Sequence, residues 1–257
     1  MIEWFAQHII FMPELASSNG ERVDALIVYV HWLMFALFIG WTLYFIYALW
    51  RFNVKRHPKA DYEGSKSHLP KQIELAVVLA EAVLLVVVAM PIWARNVQDF
   101  PKPEDSTIIQ VMAQQFAWNV RYPGPDGKFG RQDMKLISND NIFGVDPTDP
   151  AGKDDVQLLN EIHVPVNKPV LIYLSSKDVI HSLKLVAMRL TQDAIPGLRI
   201  PCTFTPNKIG RYQIECAQLC GNGHAAMSGG FVVVQSQADF DKWLKSKSSS
   251  STPTSYE

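Results

Sequence analysis

The densest run of metal donors in this 257-residue chain is Glu215-Cys-Ala-Gln-Leu-Cys-Gly-Asn-Gly-His-Ala-Ala-Met227, which offers Cys216, Cys220, His224 and Met227. A further imidazole, His181, lies upstream at the start of an expected strand. Two thiolates, two imidazoles and a thioether form a soft donor set, which favours copper over hard cations. Zinc also accepts thiolate and imidazole, but its loops usually read C-x2-C and it seldom takes methionine. A mononuclear blue-copper site needs one Cys, two His and a weak axial Met, so this set holds one cysteine too many. Two thiolates spaced C-x3-C on a tight loop can each bridge two copper ions. One histidine would then terminate each copper, and Met227 would be a weak ligand to one of them. The other copper needs a further neutral donor, and the Gln218 backbone carbonyl lies between the cysteines. One unpaired electron shared over two bridged metals spreads the charge change, so little geometry shifts. That is the chemistry of electron transfer, with no substrate turned over at the site. The competing reading is a Cys216–Cys220 disulfide, which an oxidising compartment permits. It leaves His224 and Met227 at their spacing unexplained. Cys202 reads as a strand residue packed in the core, and His8, His57, His68 and His163 have no ligand-like company.

These donors need a rigid frame. From Phe100 onward the segments TIIQVMA, QFAWNVRY, EIHVPV, KPVLIYLSS, SLKLVAM, TFTP, RYQIEC and GGFVVVQ are short and rich in β-branched and aromatic residues. Bounded by turn residues, they predict an all-β sandwich or barrel over residues 103–236. A polar stretch rich in Gly, Pro and Asp, from Pro123 to Asp155, reads as a long loop or hairpin insertion. Asp239 to Lys247, within the C-terminal stretch 237–257, reads as a short closing helix, and SSSSTPTSYE after it as disordered.

Ahead of this domain stand two apolar runs. Residues 25–50 carry no fixed charge, and residues 72–95 hold the run Leu75 to Ala94, interrupted by Glu81 and closing at Met90-Pro91-Ile92-Trp93. Each is long enough to cross a hydrocarbon core as a helix, and Pro91 near the end of a membrane helix is tolerable. His31 has a neutral, hydrogen-bonded packing role. The connecting residues 51–71 carry Arg51, Lys55, Arg56, Lys59, Lys66 and Lys71 against Asp61 and Glu63, which makes this loop cytoplasmic. Both termini and the β domain then lie on the other side, in a bacterium the periplasm. Residues 1–24 form an extracytoplasmic segment without the basic start of a signal peptide. Its apolar set Trp4, Phe5, Ile9, Ile10 and Met12 suits a membrane surface or a short packing helix. Glu74 and Glu81 stand in or beside the second span, where an ionisable side chain is costly and points to function. Lys+Arg 24 against Asp+Glu 25, with no basic patch, argues against a nucleic-acid partner. Three cysteines are too few for a disulfide scaffold, and no internal repeat is present.

From the first span to a strand ending near Gln235, the chain resembles subunit II of cytochrome c oxidase, the copper-A subunit of the haem–copper oxidases. The motif Cys216-x3-Cys220-x3-His224-x2-Met227 carries the resemblance, joined by Ser176-Lys-Asp178-Val-Ile-His181-Ser182 and Gln192-Asp193-Ala-Ile-Pro196-Gly197. The resemblance implies a two-helix transmembrane hairpin bearing a cupredoxin-like Greek-key barrel. It implies a dinuclear copper centre held by His181, Cys216, the Gln218 carbonyl, Cys220, His224 and Met227. The implied role is to accept electrons from a cytochrome c-type donor and pass them to haem in subunit I. Oxygen is reduced to water there, coupled to proton pumping, in a bacterial inner-membrane complex that also includes subunit III. The haem and the oxygen chemistry belong to the partner.

By the same resemblance, Glu74 in Gln72-Ile-Glu-Leu matches a glutamate at the mouth of a proton path into subunit I. Asp178 sits on the donor-facing rim, where acidic residues attract a basic cytochrome c. The acids at Asp140, Asp146, Asp149, Asp154 and Asp155 could extend that face or merely keep a loop soluble. Several positions depart from the family pattern. Gln218 replaces a glutamate whose carboxylate helps hold Mg²⁺, which leaves no anion there for that metal. Phe116 stands where the family has the tryptophan through which electrons arrive, while Trp118 matches the second tryptophan. The departure suits an unusual cytochrome or a docked partner complex as donor. Glu81 falls where proline is common, and the arginine after Pro-Gly is displaced to Arg199. A quinol oxidase subunit would lack the copper ligands. Nitrous oxide reductase is a larger soluble protein, and an anchored copper-assembly module would lack a stable haem-bearing partner. With no C-x-x-C-H, the chain carries no c-type haem of its own.

Overall fold

The computed structural model describes residues 1–59, 62–64 and 66–248. Asp61 of the basic loop, and the tail expected to be disordered beyond Ser248, lie outside the described residues. The chain divides into two units, one of Met1–Met12 with Arg22–Arg95 and one of Pro13–Glu21 with the chain from Asn96.

The first unit is helical. A short helix α1 (Ile2–His8) precedes α2 (Gly20–Arg51), and the Phe5 ring packs edge-on against Trp32 and Phe35 at 6.0 and 6.3 Å. The second long helix runs Leu69–Gln98 in three pieces, α3 (Leu69–Val83), a π-helical turn (Leu84–Ala89) and α4 (Met90–Gln98). The 32-residue α2 and the 30-residue second helix contain 18-residue stretches with mean hydropathies of 1.9 and 2.7, long and apolar enough to cross a membrane. This second span is continuous but not α-helical throughout. Pro91 has no N–H to donate, and its ring crowds the carbonyl one turn back. The turn ahead of it widens, with the Met90 N–H reaching Leu85 O.

The second unit is a β-sandwich of two five-stranded sheets. Its strands are β1 (Thr107–Gln114), β2 (Ala117–Tyr122), β3 (Val156–Leu159), β4 (Glu161–Pro165), β5 (Val170–Ser176), β6 (His181–Leu185), β7 (Leu190–Ala194), β8 (Ile200–Phe204), β9 (Gly210–Cys216) and β10 (Gly230–Gln235). One sheet is ordered β3-β2-β1-β5-β8 and the other β4-β10-β9-β6-β7. The β1–β5 and β10–β4 pairs are parallel and the rest antiparallel. With the helix pair, this is the two-helix, cupredoxin-like architecture expected. Inward-facing Ile109, Val111, Val120, Ile162, Ile172, Leu183, Ile214 and Val232 fill the space between the sheets. Two strands, β3 and β7, fall outside the segments that the sequence marks as extended. Both are sheet edges, where one side is solvated and the β-branched signal is weak. The segment SLKLVAM is also cut short, because the chain leaves β6 at Leu185 for a 3₁₀ turn (Val186–Met188) and Arg189 takes φ +52°.

Residues Pro13–Glu21 are laced into this sandwich rather than forming one segment with residues 1–12. Ala16 donates its N–H to Ala187 O and accepts from Asn207 N–H, while the Ser17 hydroxyl donates to Met188 O. Arg189 donates to Pro13 O and Glu14 O. The long Pro123–Asp155 connection is pinned by fully buried Arg121, which donates to Asp155, Gln110 Oε1 and Gly130 O. Asp155 is therefore an interior partner and no part of an acidic face, and Asp146 and Asp149 are engaged by Arg131.

The closing helix α5 (Gln237–Ser248) docks through Phe240 and Trp243 against Tyr122 and His163. The Trp243 ring stacks on His163 at 4.1 Å. Burial holds the His163 imidazole below its ordinary value of 6.5, against the opposing pull of Glu161. The unfolded chain takes up this proton first as pH falls. The stabilisation is therefore complete above 6.5 and is lost as pH drops through the depressed folded value. Stability of the full chain in detergent, followed by Trp243 fluorescence, should decline on acidification below 6.5. His163→Phe, which keeps the stack, should flatten that slope; an unchanged slope would contradict the assignment.

Candidate metal centre

Strand register brings the donors together. In the second sheet Leu183 of β6 faces Cys216 of β9, and the Ala217 N–H continues the ladder to Ser182 O at 2.9 Å. His181, the first residue of β6, thus lies beside the start of the loop that carries Gln218 and Cys220. The loop returns through a 3₁₀ helix (His224–Gly229), which brings His224 and Met227 back onto Cys220. The ligand atoms of His181, Cys216 and Cys220 lie within 4.8 Å of one another. Cys220 Sγ is 3.4 Å from His224 Nδ1 and 3.4 Å from Met227 Sδ, and Cys216 Sγ is 3.1 Å from the Gln218 carbonyl oxygen. All six expected donors therefore meet in one cluster.

Its electrostatics call for a cation. Cys216, Cys220 and Cys202 are free thiols, so the disulfide reading is not realised in the structure. Burial and the neighbouring Cys216 push the Cys220 thiol up to about 11. Two adjacent sulfur anions are costly in this setting until a metal replaces their protons. His181 is fully buried, and its Nδ1 has no hydrogen-bond partner. Its Nε2 is 2.8 Å from Asp178 Oδ1, an arrangement that fixes the tautomer and leaves the Nδ1 lone pair for a metal. An orphaned buried nitrogen beside two free thiols and a thioether fits a soft metal. Cys202, on β8, is buried away from this cluster, and burial alone pushes its thiol up to about 12.

Other residues act on the donors from outside. Asp178 accepts from the Gln115 and Val179 N–H groups, each at 2.7 Å, as well as facing His181. Burial opposes its ionisation, but these three partners outweigh it and hold the carboxyl below its ordinary range. One of its oxygens thus faces a donor of the cluster, while the residue itself is exposed at the surface. Trp118 is fully buried beneath the site: its indole N–H donates to Met227 O at 3.0 Å and its ring lies 6.2 Å from that of His181. Phe116 is half-buried and covers the ligand loop. Gln115, which sequence reasoning missed, donates from Nε2 to Cys220 O. Also missed are Gly221 and Gly223. Gly221 has φ +136°, and a Cβ on Gly223 would lie 2.4 Å from the Phe116 ring. The Cys-Gly-Asn-Gly-His spacing was the available signal for both glycines. Glu74 lies on α3, in the other unit, and joins no cluster among the described residues.

Comparison with known proteins decides the family. The sequence model described as "Cytochrome C oxidase subunit II, periplasmic domain" matches residues 107–236. The chain belongs to the cytochrome c oxidase subunit II family. It is 30% identical over 230 residues to the alternative cytochrome c oxidase subunit 2 of Bradyrhizobium diazoefficiens, covering 89% of this chain and 81% of that relative. It is 33% identical over 213 residues to the probable cytochrome c oxidase subunit 2 of Rickettsia felis, covering 82% of this chain and 62% of the relative's length. Among solved structures, the periplasmic domain of subunit II of cytochrome oxidase from Bradyrhizobium japonicum is 28% identical, with a TM-score of 0.44. That alignment covers 59% of this chain and 99% of the solved domain. The subunit II match begins at the first residue of β1 and ends one residue past β10. It therefore contains every donor of the cluster.

The packing of Phe116 on the loop has a direct test. Gly223→Ala should cost about 1–3 kcal/mol of stability in thermal unfolding, since the new methyl overpacks against the ring. Combining it with Phe116→Leu should recover part of the loss. A fully tolerated alanine would show that the two do not press on each other.

Proposed function

We propose that the chain is the electron-accepting subunit of a respiratory haem–copper oxidase, with a dinuclear copper centre bound by His181, Cys216, the Gln218 carbonyl, Cys220, His224 and Met227. The observation that carries this reading is the convergence of two free thiols, two imidazoles, a thioether and a backbone carbonyl around Cys220 and Cys216. Held by these residues, copper would supply one-electron chemistry that needs little rearrangement of its surroundings. The protein's share is to hold those surroundings still. Asp178 orients His181, Trp118 holds the Met227 backbone, and Phe116 with Gln115 covers the loop and shields it from water.

Electrons come from a cytochrome c-type donor and leave for haem in subunit I, where oxygen is reduced to water and protons are pumped. Phe116 and Trp118 mark the side on which electrons arrive. Phenylalanine in the outer position, together with an Asp178 carboxylate engaged inward, suits an unusual cytochrome or a donor docked as a complex. Gln218 offers no anion for Mg²⁺, so none is assigned. The two apolar helices anchor the chain in a bacterial inner membrane, with subunits I and III as partners. Both helices join the β unit at the ends away from the basic loop, which supports a cytoplasmic loop and periplasmic termini. Glu74 would feed protons into the partner.

Electron paramagnetic resonance of the full chain, loaded with copper in detergent, tests the centre. One electron shared by two equivalent copper nuclei is expected, at two ions per chain; a four-line, single-copper signal would sink the proposal. Residues Pro13–Glu21 belong to the β unit, so a fragment starting near Pro103 would lack part of the fold. Met227→Leu should shift the reduction potential and keep both metals, whereas Cys216→Ser or Cys220→Ser should abolish the shared-valence signal. In the assembled oxidase, Glu74→Gln should slow oxygen reduction while copper reduction stays intact. Unchanged turnover would remove Glu74 from the proton path.

A further inference from the structure

Within the helical unit, α2 and the second long helix do not close along their whole length. Between them lies an apolar cleft of about 490 Å³, lined by Leu26, Val30, Leu33 and Leu37 on one side and by Leu85 and Ala89 on the other. A single ionisable side chain, Glu81, stands in its wall. Glu81 is the thirteenth of the 30 residues from Leu69 to Gln98, close to the middle of the apolar stretch. It is exposed and has no hydrogen-bond or ion-pair partner among the described residues. In hydrocarbon neither form of an unpartnered carboxyl is comfortable: the anion loses its hydration, and the acid keeps a donor and an acceptor to satisfy.

We infer that the cleft receives a transmembrane helix of a partner subunit, and that a hydrogen-bond-donating or cationic side chain of this helix pairs with Glu81. This rests on the reading of the chain as one subunit of an oxidase. Two features select a helix over a lipid tail. An acyl chain would cover the leucines but bring nothing to Glu81, leaving its polar atoms unmet. Leu26, Val30, Leu33 and Leu37 are also spaced four, three and four residues apart. That is the heptad-like stripe that accepts the knobs of another helix in a left-handed membrane crossing. The π-helical turn begins three residues beyond Glu81, and the Leu84 N–H is shared between Ala80 O and Glu81 O. The wall therefore changes its twist just past the carboxyl. Glu81 acts as a polar lock in an otherwise apolar contact, and its partner residue faces it from outside this chain.

The inference is tested on the purified oxidase and on the full chain expressed without partners, both in detergent. Dicyclohexylcarbodiimide, which reacts with protonated carboxyls reached from an apolar phase, is applied and Glu81 modification is read by peptide mass spectrometry. Modification is expected in the lone chain, with roughly tenfold protection in the complex, as burial under a helix should give. Glu81→Leu should lower retention of the haem-bearing subunit after solubilisation by about fivefold, and Glu81→Gln, which still accepts a hydrogen bond, should restore most of it. An unchanged copper signal in both variants would show that the β unit remains folded. Equal labelling of complex and lone chain, or a Glu81→Leu variant that holds its partner as firmly as the parent, would overturn the inference. A parent chain that brings down no haem-bearing subunit at all would overturn the subunit reading, and this inference with it.

Discussion

Two sulfur atoms buried side by side impose the constraint around which the β unit is arranged. As thiols they are inert core groups; as thiolates so close together they would repel each other, and burial already disfavours the charge on Cys220. Only a cation held by both makes the ionised pair comfortable, and every neighbour is disposed to help it. His181 turns a nitrogen without a partner into the same space, and the Met227 sulfur and Gln218 carbonyl close it from two other directions. These three groups are neutral, so the charge around the site comes from the sulfurs and from the Asp178 carboxylate behind His181. So many groups converge on one point only if the surrounding structure is stiff.

The stiffness comes from strands, glycines and one carboxylate. The β6–β9 register holds His181 against the cysteine loop, and Gly221 and Gly223 let that loop lie flat beneath Phe116. Asp178 ties together a strand end, a turn and the outer nitrogen of His181 with one side chain. Further out, the buried Arg121–Asp155 pair fastens a long connection that has little regular structure of its own. The Pro13–Glu21 segment is stitched to the chain around Ala187 and Pro206 by backbone hydrogen bonds. A loop site on such a scaffold is more precise than its loop alone could make it.

The helical unit obeys a different solvent. Its side chains are apolar nearly all round, so local sequence says little about which face meets a neighbour. The departures from uniformity are informative instead. Pro91 forces the turn ahead of it to widen, and Glu81 places a polar group where lipid cannot satisfy it. Both lie on the second helix, within ten residues of each other.

The cluster of soft side chains on one loop, the two long apolar helices and most strands were legible in the sequence, because each depends on residues close together in the chain. The Cys-x3-Cys-x3-His-x2-Met spacing fits on one loop, and an apolar run declares its length directly. Edge strands β3 and β7 were not legible, since a half-solvated strand carries no strong alternation. Nor was the contact of the Asp178 carboxylate with His181, or the burial of Asp155, which looked like one more surface acid. Those outcomes depend on which distant segments are brought alongside: Gln115 with Asp178, Arg121 with Asp155, Pro13–Glu21 with the strands. The sequence by itself determined what chemistry the loop could hold. Only the tertiary structure decided which charges face the site and which face water, because a charge's direction is set by the partners that folding supplies.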